Sequence, residues 1–256
     1  MNSSSRIHLL FYPSFEHASE FNIEMNDKTP RMKFTISKVN HNGMLEYSIV
    51  PFDSSAIPLS ESGYREFKSA IDRIDWKHYK PAGERTVLDG VSGVINIIGH
   101  SSDTTTIYFH SPDRASFKTE YEIIDAFFNL AEKEVQALNH LEYLEALKCY
   151  FDYGLPIKKT GDNPLEYRFW GHLTSNEGKD LNDFLKNLPD NQPVIFDCTN
   201  FPGMGTMYYE LFRKTNTEKD IYYLLKENSE QEDLTQIGNC RIFRSRNDLI
   251  SAIKQQ

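Results

Sequence analysis

The sequence predicts an α+β protein in two parts, a strand-rich antiparallel sheet with helices followed by a small α/β region with a mixed sheet. Three observations carry this. Up to residue 110, short runs of β-branched and aromatic residues are cut by turn-forming residues. From 118 to 150 the apolar positions recur at helical spacing, and from 155 onward strand-like and helix-like segments alternate. A first domain is therefore expected over 1–136, a helical connector over 137–154 and a second domain over 155–256.

Residues 7–12, 21–25, 32–39 and 45–50 read as strands, punctuated by Pro13, Asn26-Asp27, Pro30 and Asn42-Gly43. Connections this short make an antiparallel meander the economical arrangement. Ser60 or Ser62 is placed to cap a helix whose Tyr64, Phe67, Ile71 and Ile74 share one face, ending near Trp76. Such a helix covers one side of the sheet. After a loop at 81–84 and a turn at Asp89-Gly90, residues 91–98 and 104–110 read as a hairpin. Tyr121, Ile124, Phe127, Phe128, Leu130, Ala131 and Val135 then form an apolar stripe that Leu138, Leu141, Leu144, Leu147 and Phe151 continue. Asn139-His140 is the expected break between two helices.

Downstream, 155–160 and 166–172 read as strands joined by a Gly161-Asp162-Asn163-Pro164 turn. Helices are expected at 180–188, 206–215, 231–237 and 247–255, with strands at 193–198, 220–225 and 240–244 between them. Alternation of this kind implies right-handed crossovers and parallel pairing.

With 256 residues and 39% apolar content the chain can build ordinary cores. A net charge of −9 and the lack of any basic block argue against nucleic-acid binding, and the acidity permits a basic protein partner. Cys149, Cys198 and Cys240 are odd in number and widely spaced, which reads as free thiols in a reducing compartment. The N-terminus carries no secretory pattern and no apolar run reaches membrane-spanning length, so a cytoplasmic protein with no membrane contact is expected.

No cofactor, metal or catalytic residue is expected. The eight histidines show neither His-x-x-x-His nor His-Glu-x-x-His spacing, although His100 and His110 flank one hairpin. There is no Gly-x-Ser-x-Gly elbow and nothing beside Cys198 to activate it. The Gly203-Met204-Gly205 turn lacks the third glycine of a dinucleotide fingerprint and the Lys-Ser/Thr of a P-loop. Glu120, Glu122, Asp125, Glu132, Glu134, Glu142 and Glu145 make the helical region acidic. They read as a solvated face or as a docking surface for a basic protein.

Over 150–256 the order of elements and several local words resemble the STAS domain of sulphate transporters and anti-sigma factor antagonists. These words are Tyr167-Arg168-Phe169-Trp170-Gly171-His172-Leu173, Val194-Ile195-Phe196-Asp197, and Ile237-Gly238 before Cys240-Arg241-Ile242-Phe243. In that family the helix after the central strand starts with a phosphorylated Ser or Thr, and those positions fall here on about Gly203, Met204 and Gly205. The acceptor is missing, and Thr206, one place on, reads as a helix N-cap. The first half resembles uncharacterised domains of Bacteroidetes-type bacteria through Phe11-Tyr12-Pro13-Ser14-Phe15-Glu16, Leu88-Asp89-Gly90 and Ser111-Pro112. The resemblance to STAS implies a non-catalytic regulatory protein that docks a protein partner through 201–209, at Phe201, Gly203, Met204, Gly205, Thr206 and Tyr208. Two further readings stay open at this level: an immunity protein that neutralises a toxin through an acidic surface, and an enzyme or small-ligand binder with a site between the domains.

Overall fold

A computed structural model of the chain describes residues 4–14, 16–26, 28–41, 47–76, 79, 90–99, 104–151, 153–173, 177–201, 203–227 and 232–255. The Asn42-Gly43 turn, the loop at 81–84, and Phe15, Asp27, Leu88, Asp89, His100 and Pro202 lie outside these residues. The chain divides into two compact units, Met1–Leu144 with Tyr150–Asp152, and Glu145–Cys149 with Tyr153–Gln256.

In the first unit, β1 (Ser4–Pro13), β2 (Ala18–Glu24), β3 (Arg31–His41) and β4 (Tyr47–Pro58) form the expected meander. β5 (Val91–Gly99) and β6 (Thr104–His110) add on the other side of β1, which gives a six-stranded sheet of order β4-β3-β2-β1-β5-β6 with every pair antiparallel. Alternate residues such as Ile7, Leu9, Phe11, Phe21 and Phe34 are buried. The opposite face carries His8 paired to Glu20 at 2.8 Å and Arg31 paired to Glu24 at 2.6 Å. An antiparallel sheet that is apolar on one side only needs a helical cover on that side. That cover is α1 (Glu61–Asp72), α2 (Lys118–Glu134) and the first part of α3 (Leu138–Lys148). The Phe127 ring of α2 lies 5.7 Å from Phe11 and 4.3 Å from Phe21, and Tyr143 of α3 lies 5.8 Å from Phe34. Each aromatic buried this way contributes roughly 1.5–3 kcal/mol.

Two expectations are corrected here. β4 continues past Val50, through Pro51, to Pro58. As an edge strand it needs ladder bonds on one side only, so a residue without an N–H is tolerated, and the register slips between Ile36 and Ser37 opposite it. The helical break falls at Val135, whose extended backbone ends α2, and not at Asn139-His140. His140 sits in the first turn of α3 because its ring packs against Phe34, with centroids 4.6 Å apart, and bonds to Ser55, so tertiary packing overrides the local preference.

In the second unit, β7 (Ile157–Asp162) pairs antiparallel with β8 (Leu165–Trp170), and β8, β9 (Val194–Asn200), β10 (Ile221–Leu224) and β11 (Arg241–Phe243) run parallel in the order β11-β10-β9-β8-β7. The connecting helices are α4 (Gly178–Lys186), α5 (Tyr209–Glu218) and α6 (Glu232–Ile237), and α7 (Arg246–Lys254) closes the chain. When crossovers of one hand join strands that advance steadily across a sheet, their helices fall on one face. Accordingly Leu181, Leu185, Phe212, Leu234 and Ile237 share a core with Phe169, Phe196 and Tyr223, while Leu249 of α7 packs with Ile195, Tyr222 and Leu224 on the other side. Covered on both faces, β9 is buried from Val194 to Cys198 and β10 from Ile221 to Leu224, which is why Val194-Ile195-Phe196 reads as a continuous run. Among the described residues no helix is long and apolar enough to cross a membrane.

Candidate functional site

The segment after β9 is held by its own backbone and side chains. The Phe201 N–H donates to the Cys198 carbonyl at 3.2 Å, and Leu173 pairs with Met204 in an isolated parallel bridge whose Leu173 N–H reaches the Gly203 carbonyl at 3.3 Å. Phe201, Met204 and Tyr208 are buried, so these three serve the core of the unit. The face left to solvent is Gly205, Thr206 and Met207, with Met207 62% exposed. Thr206 is not the cap: a 3-10 turn at Thr206–Tyr208 precedes α5, Gly205 is its N-cap residue, and no side chain caps it. The turn starts one residue earlier because the Tyr208 N–H bonds to the Gly205 carbonyl at 3.0 Å. Asp197, midway along the central strand β9, accepts from the Thr199 hydroxyl at 2.6 Å and from the Thr199 N–H at 3.0 Å, with the Arg168 guanidinium 3.6 Å away.

Much of the acidic helical stretch is engaged within the fold. Glu120 accepts from the Tyr79 hydroxyl at 2.7 Å, Asp125 is held in a two-pronged pair by Arg114, Glu134 accepts from the Ser60 N–H at 3.0 Å, and Glu145 faces Lys148 and Lys158. His110 bonds to Ser92 at 2.8 Å. His140, 1% exposed, has Nδ1 3.1 Å from the Ser55 hydroxyl and Nε2 3.1 Å from Asp53 Oδ2. These are the residue types of a hydrolytic triad, but Asp53 and Ser55 alternate along one strand and both reach a buried ring. A nucleophilic serine must instead face a substrate space lined by oxyanion donors, so the group is read as pinning α3 to β4. Cys198 is fully buried, and burial pushes its thiol well up, which disfavours the thiolate a nucleophile needs. Among the described residues no group of three His, Cys, Asp or Glu side chains could hold a metal ion.

Sequence reasoning passed over one feature of the second unit. A cavity of about 100 Å³ opens between the end of α3 and the β7–β8 hairpin, lined by Glu145, Lys148, Cys149, Tyr153, Lys158 and Trp170. Leu155 and Pro156 complete an apolar part of its wall. Lys148 is 3.6 Å from Glu145 and 5.7 Å from the Tyr153 ring centroid, and Lys158 pairs with the other oxygen of Glu145. Burial, and then the neighbouring Lys158 charge, lower the Lys148 pKa to about 8. The Cys149 thiol donates to the Glu145 carbonyl at 3.3 Å. The Arg168 guanidinium lies over the Trp170 ring at 4.3 Å, and the Trp170 indole N–H is buried with no hydrogen-bond partner among the described residues. The residues come from a helix end and from both strands of a hairpin, so no spacing in the sequence marks them.

The comparisons found no family model, no curated protein and no solved structure that matches this chain.

Proposed function

We propose that this chain is a non-catalytic regulatory protein whose second unit is STAS-like and docks a protein partner through the turn at Gly205–Met207. The single observation that carries the reading is the exposure of Met207. It stands 62% exposed at the start of a helix, between Met204 and Tyr208, which are both buried. A flexible, polarizable side chain on a rigid base suits a contact surface that must accommodate a partner. The order of two antiparallel strands followed by alternating helices and parallel strands supports the STAS-like assignment.

The test uses the full chain with a photo-crosslinking amino acid at position 207, in the native host, against a Met207→Glu variant captured in the same way. A single partner crosslinked from position 207 and lost from the Met207→Glu capture supports docking at this turn. No crosslinked partner, or a partner retained by Met207→Glu, removes the reading. Met207 is the right place for the charge, since Met204 is buried and its replacement by Glu would disturb the core.

A further inference from the structure

We propose that two copies of this chain join edge to edge through β6, the two Thr104–His110 strands pairing antiparallel about a two-fold axis at Ile107 to make one continuous sheet. This inference rests on the first unit alone and is independent of the docking turn.

The ladder itself shows which backbone groups β6 leaves open. The Ser111 N–H donates to the Val91 carbonyl at 2.7 Å, so positions 111 and 91 are a hydrogen-bonded pair, and such pairs alternate along an antiparallel ladder. On the other side of β5 the Ser14 N–H donates to the Gly90 carbonyl at 2.9 Å, which gives the same alternation: even positions of β5 turn to β1 and odd positions to β6. Carried through the register, Phe109, Ile107 and Thr105 turn their N–H and C=O groups to β5, while Thr104, Thr106 and Tyr108 turn theirs away from it. Among the described residues no strand pairs on that open side.

A row of this kind is a template for another strand, and proteins usually guard it with proline, lysine, irregularity or shortness. The other three sheet edges among the described residues are guarded in these ways. β4 carries Pro51 and Pro58 and lies against a register slip, β7 carries Lys158 and Lys159, and β11 is three residues long. β6 has no proline, no Lys, Arg, Asp or Glu, and an unbroken register.

Charge and symmetry select a second copy as the occupant. The chain carries a net charge of −9, so copies repel one another on the whole, yet β5 and β6 together hold no Asp, Glu, Lys or Arg and bring no like charges together at this margin. With the axis at Ile107, Thr106 lies opposite the partner's Tyr108 and Thr105 opposite the partner's Phe109, β-branched against aromatic, which is a favourable cross-strand combination. Thr106 and Tyr108 both belong to the set with outward backbone groups, so the register that matches the side chains also matches the hydrogen bonds. Tyr108 is 73% exposed, more than any other large apolar side chain among the described residues, and this pairing covers it. The guarded β4 then stands at each outer end, so the assembly closes as a dimer.

Sedimentation velocity of the full chain, from micromolar to near-millimolar concentration, is expected to show a monomer–dimer equilibrium. Tyr108→Lys places two like charges diagonally across the joint, and Thr106→Pro removes one outward N–H from each copy. Each should weaken dimerisation roughly 100-fold, with circular dichroism showing that the variants remain folded. Amide hydrogen exchange reads the register: the Thr104, Thr106 and Tyr108 amides should gain protection as concentration rises, whereas those of Thr105, Ile107 and Phe109 are protected throughout. A monomer over the whole range overturns the proposal and leaves the edge to a strand of a different protein. A dimer that folded Tyr108→Lys retains, or one in which the three outward amides exchange as fast as in the monomer, overturns it as well.

Discussion

Glu16 gives the sharpest quantitative prediction. It lies in the first unit just after β1, its Oε1 is buried with no hydrogen-bond partner among the described residues, and burial raises its pKa from the usual 4.5 to about 7. The native state therefore holds this proton more tightly than the unfolded chain does. Below pH 4.5 both states are protonated and the group makes no difference between them. As pH rises from 4.5 to about 7 the unfolded chain ionises while the native state resists, so stability falls over that window and is level above it. At about 1.4 kcal/mol per pH unit, the whole window comes to about 3 kcal/mol. Glu16→Gln removes the titration and leaves an amide whose own effect does not vary with pH. The assay is denaturant unfolding of the first unit, followed by Trp76 fluorescence in a Trp170→Phe background, at steps from about pH 4.5 to 8. The variant should gain on the parent by about 3 kcal/mol across that range, with most of the change below pH 7. Parallel pH profiles for the two proteins would refute the reasoning, because they would mean that Glu16 ionises alike in both states.

Two further changes probe close approaches in the same unit. A Cβ on Gly93 would lie 2.0 Å from Phe109 Cζ, and that ring is wedged between Phe11 and Phe151, each about 6.1 Å away, so Gly93→Ala should destabilise by roughly 1–3 kcal/mol in the same unfolding assay. Ser60 caps α1 by accepting from the Gly63 N–H at 3.1 Å, and Ser60→Ala should cost about 1 kcal/mol by thermal or denaturant unfolding. Gly63→Ala should fail to give the usual helix gain of up to about 1 kcal/mol, because its Cβ would displace the Glu134 carboxylate from the cap; paired with Glu134→Ala, the gain should return.

The sequence by itself determined the α+β class, the meander followed by a hairpin, and the order of strands and helices in the second unit. It could do so because each signal is local: a period of two where a sheet is covered on one face, a continuous apolar run where it is covered on both, and a helical stripe between. Ser60 was legible as a cap for the same reason. Whatever depends on residues far apart in the chain was left to the tertiary structure. Gly63 stands where a capping box would carry its carboxylate, and Glu134 at the end of α2 supplies that group instead, 74 residues from Ser60. His140 looked like a helix break and became a buried clamp between Ser55 and Asp53. Phe201, Met204 and Tyr208 looked like a docking surface, but packing turned them inward and left only Met207 and its neighbours to solvent. Lys148, Lys158 and Trp170 carry no motif at all, and only the pairing of β7 with β8 beside the end of α3 gathers them around one cavity. Side-chain direction in a loop and convergence across a hairpin are set by packing, which no local pattern encodes.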